Sequence, residues 1–505
     1  MLDEVLSGEN DKKMAVWPFF YCGNCQMIYN EFMSRLFKNT AIITIALVFQ
    51  KALAFFYFSI LSKYLGVSST GEYFLALAVI TVVAVVADFG TATLLVREVA
   101  KSKNESRNIV QNIVGIKLFA IPVALLILLL VPNLLNYDDS LKMLIYFGGL
   151  ILIADTLSLT FYATLRGLQK LKYEAFGMMS GQIISAITGV FFILVLRADL
   201  MLLLLALTLG SLFNMFFSGY MVGRYLGFSA FTPRIKNARN ILTASFAFFL
   251  ATVFTKIYSY VDTLLLQYYL GAVAVGTYAI AYKLTYAFQF LPMAFVAALY
   301  PAMSAVADSP KKLSEIFSKS IWYVSILSFP IVFGIFMLAE EIIILYSSID
   351  FIKAVIPLQI LIFVLLFIFL DFPLGSILNA SGRQMKKTLV MALTMIINIA
   401  ANFALIPALG PIGASIAGLI SFIFMFFADW FMMRDLVEIG LLDIFKISAP
   451  FALSAITMSF SLYAMSNFET PILLMVPIAA IVYFIFCFIF GGISRQSIEQ
   501  LWREN

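Results

Sequence analysis

The chain has 505 residues, 62% hydrophobic and 12% charged, with a formal charge of +5 and no histidine. Apolar stretches near 20 residues recur from Ala41 to Gly491, the length a helix needs to cross about 30 Å of hydrocarbon, which excludes a soluble core. The small charge, dealt out among short loops, argues against a nucleic-acid partner, and the lack of histidine removes His-ligated metals, Ser-His nucleophiles and histidine proton relays.

In chain order, residues 1–32 are mixed in composition and fit no span; they read as a leader, with Met33 a second candidate start. Cys22-x-x-Cys25 within it resembles half of a zinc site, but the third cysteine, Cys487, stands alone, so ordinary thiols are the reading preferred. Apolar runs then predict spans near 41–61, 73–95, 109–131, 143–164, 175–196, 201–222, 243–268, 278–300, 321–339, 355–378, 389–408, 412–433, 447–465 and 472–491. Strands would need a closed barrel of short alternating segments, which the sequence does not contain, so the fold class is an all-α polytopic membrane protein of about fourteen helices.

With the N-terminus placed in the cytoplasm, 25 basic residues fall in the leader, alternate loops and tail, against 4 on the other side and 4 inside spans. That asymmetry fits the positive-inside rule for an even span count with both termini cytoplasmic.

An internal repeat follows from the motifs. Tyr64-Leu65-Gly66 with Gly71-x-Tyr73 recurs as Tyr269-Leu270-Gly271 with Gly276-x-Tyr278, offset by 269 − 64 = 205, and the same offset carries Lys51 onto Lys256. Gly167-x-Gln169-x-x-Lys172 recurs as Gly382-x-Gln384-x-x-Lys387, offset by 382 − 167 = 215. Spans one to six thus match seven to twelve. This predicts an N-lobe over 33–225, a C-lobe over 226–435 and a pair of helices over 436–505, with binding between the lobes near the midplane.

Lys51 sits about ten residues into its helix, near mid-membrane, where a bare cation costs at least about 2.5–3.5 kcal/mol. Lys256 heads a stripe of Ser259, Tyr260, Thr263 and Gln267 on one helical face, expected to line water. Two lysines facing each other across a cleft make an anion site suited to phosphate or pyrophosphate; the alternative is private pairing with carboxylates or snorkelling. Lys283, with Tyr282, Tyr286 and Gln289 nearby, could contact sugar or belong to an interfacial belt. Lys117 reads as structural. Asp155 and Asp371, flanked by apolar residues, could pair with a lysine, take up a coupling cation or proton, or simply bond neighbouring helices; Asp262 lies within a span, and Asp88 and Asp429 sit near predicted span ends where water reaches. Asn398 and Asn402 read as helix glue, and Pro122, Pro292, Pro330, Pro357, Pro373 and Pro450 as kink sites. No Walker loop occurs, no cofactor is implied, and the longest loops are under about twenty residues.

Leu65-Gly66-x4-Gly71-x-Tyr73, the stretch from Asp88-Phe89-Gly90 to Arg97-Glu98-x-Ala100, and Asp262-x8-Gly271-x4-Gly276-x-Tyr278-x-x-Ala281 together resemble the polysaccharide-transport, or Wzx-type, flippases of the multidrug/oligosaccharidyl-lipid/polysaccharide exporter superfamily. The resemblance implies two six-helix lobes that rock around a cationic cavity in the cell membrane, flipping a lipid-linked oligosaccharide while its polyisoprenoid tail stays in lipid, alongside polysaccharide-assembly enzymes. It carries over onto Lys51, Lys256 and Lys283. The rival readings are an ion-coupled drug or organic-cation antiporter on the same fold, which would use Asp155 and Asp371, and a membrane glycosyltransferase or polymerase, for which Asp138-Asp139 and Glu340-Glu341 are the paired acids.

Overall fold

The computed structural model describes residues 23–468 and 470–493. Most of the leader, including Cys22, and residues 494–505 lie outside the described residues, and with them the pairing of Cys22 and Cys25 and the choice between Met1 and Met33. The protein is all helical over the described part. The helices are α1 (Gly23–Asp88), α2 (Thr91–Lys101), α3 (Ser106–Leu134), α4 (Asp139–Phe147), α5 (Gly149–Gly167), α6 (Leu171–Leu196), α7 (Leu200–Leu226), α8 (Ala238–Leu270), α9 (Ala272–Tyr286), α10 (Phe290–Ala305), α11 (Pro310–Met337), α12 (Ala339–Tyr346), α13 (Val355–Ala380), α14 (Gln384–Leu409), α15 (Pro411–Met433), α16 (Leu441–Ser466) and α17 (Ile472–Ile489). Among the described residues twelve helical segments are long and apolar enough to cross a membrane, and the protein is a multi-pass membrane protein.

Two regions depart from the simple span list. The first candidate span, Ile42–Asp88, covers two predicted spans. Its helix α1 turns at Gly66, whose backbone (φ 72°, ψ −176°) is open to glycine and costly for other residues, so the Tyr-Leu-Gly stretch expected as a loop is a one-residue kink between helical arms. The predicted span 278–300 is instead two short helices, α9 and α10, joined by a 3-10 turn at Ala287–Gln289. Pro292 explains the break, since it lacks the N–H that would close on the carbonyl of Phe288.

The repeat is visible in backbone and packing. Gly271, 205 residues after Gly66, has the same conformation (φ 76°, ψ −173°) and joins α8 to α9. Helix α6 packs on α1 and α7 as α14 packs on α8 and α15, and α5 packs on α7 as α13 packs on α15. The two copies meet reciprocally. A side-chain carbon added at Gly71 would lie 1.9 Å from the carbonyl oxygen of Ala272, and one at Gly276 would lie 1.9 Å from that of Val67. Both pairs differ by 205, so each copy presents the same glycine to the same carbonyl of the other. Helix α12 closes over this end: the Tyr346 hydroxyl donates to the Phe55 carbonyl at 3.0 Å, its ring lies 4.5 Å from that of Phe55, and Ser59 donates to the Tyr346 carbonyl.

The second repeat pair needs correction. The helix ends at Gly167 and Ala380, and the next helix starts at Leu171 and Gln384, lie 380 − 167 = 384 − 171 = 213 residues apart. The residues with positive φ in the two turns, Gln169 and Gly382, are also 213 apart. The Gly-x-Gln-x-x-Lys match at 215 therefore runs two residues out of structural register, because helix junctions are fixed by packing and not by which polar residues border them.

The link between the copies is tied to the first. The Gln111 side chain donates to the Ser229 carbonyl at 2.7 Å, the Arg234 amide donates to the Gln111 carbonyl at 3.0 Å, and the Asn237 amide donates to Asn112 at 3.2 Å. Helices α16 and α17 pack together and against α11 through Phe329, Phe451, Met458 and Tyr483, with Cys487 buried among them.

Candidate functional site

Lys51 on α1 and Lys256 on α8 come from equivalent positions of the two copies, and Lys283 comes from α9. Lys51 is exposed and the other two are partly buried. Lys51 is close enough to Lys256 and Lys283 to repel both. The ammonium of Lys256 lies 5.8 Å from the ring centre of Tyr260, and that of Lys283 lies 5.0 Å from Phe58 and 5.5 Å from Phe74, distances at which aromatic faces stabilise a cation. Among the described residues no carboxylate lies within 4 Å of any of the three, whereas Lys117, Lys142, Lys387 and Lys446 all have one. The private pairing considered from the sequence is therefore not seen for these lysines, and rings alone do not neutralise them. An anion placed among them would relieve their mutual repulsion inside a membrane span.

Beside them opens a cavity of about 390 Å³, within the size range of small-molecule sites. Its walls include Gln50, Asp155, Gln182, Ser211, Tyr260 and Lys283, so it is bounded mainly by the first copy with two side chains from the second. Asp155 is exposed to this cavity, and the Ser211 hydroxyl stands beside its carboxylate. The stripe on α8 opens only in part. Tyr260 reaches the cavity, but Thr263 is fully buried against the Asp262 carboxylate, and Gln267, whose side-chain oxygen is enclosed without a partner, borders neither cavity described here. Ser259 turns back onto the Thr255 carbonyl at 2.7 Å.

A second cavity of about 260 Å³ lies within the second copy, lined by Tyr258, Gln289, Asp371 and Lys387. Lys387 donates to Asp371 at 2.9 Å and to Asp429. Two expectations change here. Lys387, counted among loop charges, reaches from the first turn of α14 into the bundle, and Asp429, expected near water, is fully buried against it. A charge next to a helix start reads as a loop residue in sequence, yet a four-carbon stem can turn inward when an acid waits there. Asp88 likewise is paired: buried Lys117 donates to its carboxylate at 3.0 Å and to the Ala87 carbonyl at 2.9 Å, the structural role expected of that lysine. Asn398 bonds Ser421 across helices at 3.1 Å and accepts from Asn402, as helix glue does. The rings of Tyr282 and Tyr286 lie 4.3 Å apart, tilted by 32°, with Tyr278 continuing the row and donating to Asp262.

The residues the sequence reading missed are the uncharged ones, Gln50, Gln182 and Ser211. Only Gln50 carried a signal, its place next to Lys51.

Residues 36–307 match the family described as polysaccharide biosynthesis protein, more than half of the chain. The chain belongs to that family. Residues 247–404 also match the MatE family. Among curated relatives, the family member is 23% identical over 394 residues to the probable low-salt glycan biosynthesis flippase Agl15 of Haloferax volcanii, covering 77% of this chain and 81% of that one. It is 24% identical over 396 residues to the lipopolysaccharide biosynthesis protein WzxC of Escherichia coli K12, covering 76% and 75%. In fold it is similar to the lipid II flippase MurJ, with a TM-score of 0.70 at 19% identity over 90% of this chain and 98% of that one. A multidrug resistance MATE transporter of the MOP superfamily is similar with a TM-score of 0.62 at 14% identity, covering 79% and 98%.

Proposed function

We propose that this family member flips a lipid-linked oligosaccharide across the cell membrane for surface glycan assembly, binding the phosphate or pyrophosphate of its polyisoprenyl carrier at Lys51, Lys256 and Lys283. The observation that carries this is the group of three lysines, drawn from both copies and left without carboxylates. In this reading the kinked α1 counts as two spans and the α9–α10 pair as one, which with the other eleven long segments makes a fourteen-span chain. The N-lobe is 33–225, the C-lobe 226–435, and two further spans with a tail occupy 436–505. Both termini are cytoplasmic, and the Gly71–Gly276 contact faces outward. Alternating access separates the lobes at one face while that contact, or its loss, controls the other. Tyr260 would flank the headgroup; Gln267 stands farther toward the outer end and becomes a contact only after the lobes move. Asp155 and Asp371 are the carboxylates through which an ion gradient can act. Membrane lipid and polysaccharide-assembly enzymes are the partners this implies.

Asp155, exposed to the cavity with no Lys or Arg within 4 Å among the described residues, favours one second reading, a cation antiporter on the same fold. Binding of a polyisoprenyl-pyrophosphate oligosaccharide to purified wild type, Lys51→Ala and Lys256→Ala separates the two. Each substitution should weaken binding roughly tenfold or more, the size of one close charge pair. Unchanged binding in both, with dye efflux that depends on Asp155, would replace the flippase by the antiporter.

A further inference from the structure

The cavity beside the lysines has a chemistry that the anion site does not use. Its polar wall is built from uncharged groups: the Gln50 and Gln182 amides, the Ser185 and Ser211 hydroxyls and the Asn214 amide. Gln50 and Gln182 make no hydrogen bond with any described residue, so each offers donor and acceptor capacity to the cavity. Asn214, by contrast, is held in place by the Tyr162 hydroxyl at 2.7 Å and by the Gly210 carbonyl at 3.2 Å. Two charges remain, Asp155 and Lys283, which leave the wall neutral in sum.

Neutral amides and hydroxyls are a poor match for an organic cation, which would also meet Lys283 in the wall and Lys51 one residue beyond Gln50. They suit a polyol, whose hydroxyls are donors and acceptors at once. The carboxylate of Asp155 has lone pairs beyond what the neighbouring Ser211 hydroxyl can use, and as an acceptor-only group it needs a donor such as a sugar hydroxyl or an amide N–H. The same carboxylate repels a second one placed against it.

We infer that this cavity holds the sugar next to the lipid pyrophosphate, that the sugar is uncharged, and that Asp155 is the residue that selects it against an acidic sugar. The inference rests on the flippase reading and adds to it a substrate class and a specificity residue. Gln50 bridges the two subsites, with its own amide on the sugar and the neighbouring Lys51 on the phosphate. Asp155 is thereby assigned to the sugar, leaving Asp371 for any ion.

The test is equilibrium binding of three probes to the full-length protein in nanodiscs: bare polyprenyl pyrophosphate, the same carrier bearing one N-acetylglucosamine, and the same carrier bearing one glucuronic acid. Wild type should bind the N-acetylglucosamine probe roughly tenfold more tightly than the bare carrier and gain nothing from glucuronic acid. Asp155→Asn should lose most of the discrimination between the two sugars, and Gln182→Leu should lose the gain from N-acetylglucosamine. Bare pyrophosphate bound with no gain from either sugar, or discrimination intact in Asp155→Asn, overturns this inference alone. No binding of the bare carrier by the wild type overturns the lysine site together with it.

Discussion

The two copies of the repeat agree where backbone meets backbone and differ where side chains meet the interior. Gly66 and Gly271 share one conformation, and Gly71 and Gly276 make the same close approach in both directions. Yet at the 213 offset Tyr162 of the first copy corresponds to Gly375 of the second. Tyr162 fills its space and bonds Asn214; Gly375 leaves room for the stem of Lys387, which carries its amine to Asp371 and Asp429. Similarly, Tyr57 beside Tyr73 in the first copy becomes Asp262 bonded by Tyr278 in the second. One copy thus keeps an open, mostly uncharged cavity while the other closes its charges on each other. A duplicated fold preserves the contacts that set its shape and leaves its interior free to specialise.

The difference predicts unequal tolerance. Lys387→Met should have the largest effect, destabilising by about 3–5 kcal/mol because two buried carboxylates lose their cation; adding Asp429→Asn should recover part of that loss, as measured by unfolding in detergent. A loss under about 1 kcal/mol would mean that the second copy is not held by this cluster. Gly71→Ala and Gly276→Ala should each destabilise by about 1–3 kcal/mol, and by the same amount, since each added carbon meets the same carbonyl of the opposite copy. Clearly unequal values would show that the contact is not symmetric in solution. Asp155→Asn, facing an open cavity, should change stability by no more than about 0.5 kcal/mol, in contrast to Lys387→Met.

The smallest effect lies at the surface of the second copy. Arg383 grips Asp435 with two bonds of 2.6 Å and holds its carboxyl down at about 2, below its unfolded value near 3.9. A depressed carboxylate contributes stability that is present above the unfolded value and lost as pH falls from about 4 through about 2. Asp435→Asn should therefore lower the melting temperature slightly at neutral pH, with the gap from wild type closing below pH 4 and the whole effect small because the pair is solvated.

Most of the helical frame was legible in the sequence, because a span must be both long and apolar and little else is. The helix from 171 to 196 and the one from 355 to 380 fall within a few residues of their apolar runs. The lysines at 51 and 256 were legible for the opposite reason, since charge at that depth is costly enough to stand out. Lys387 and Asp429 were not, because their depth depends on three helices converging, which one helix's hydropathy does not record. Gln50 and Gln182 were silent for a simpler reason: an uncharged amide is cheap enough in a span to carry no signal of where it points.

The reciprocal glycine contact has a meaning for the chain as an assembly. When residue i of one unit meets residue j of another, and j of the first meets i of the second, the interface is isologous, the kind that joins two identical subunits about a two-fold axis. Val67 with Gly276 and Ala272 with Gly71 satisfy that relation within a single polypeptide. At this seam the protein is built as a homodimer whose subunits happen to be linked, and the link, bonded to α3 through residues 229–237, belongs to only one of them.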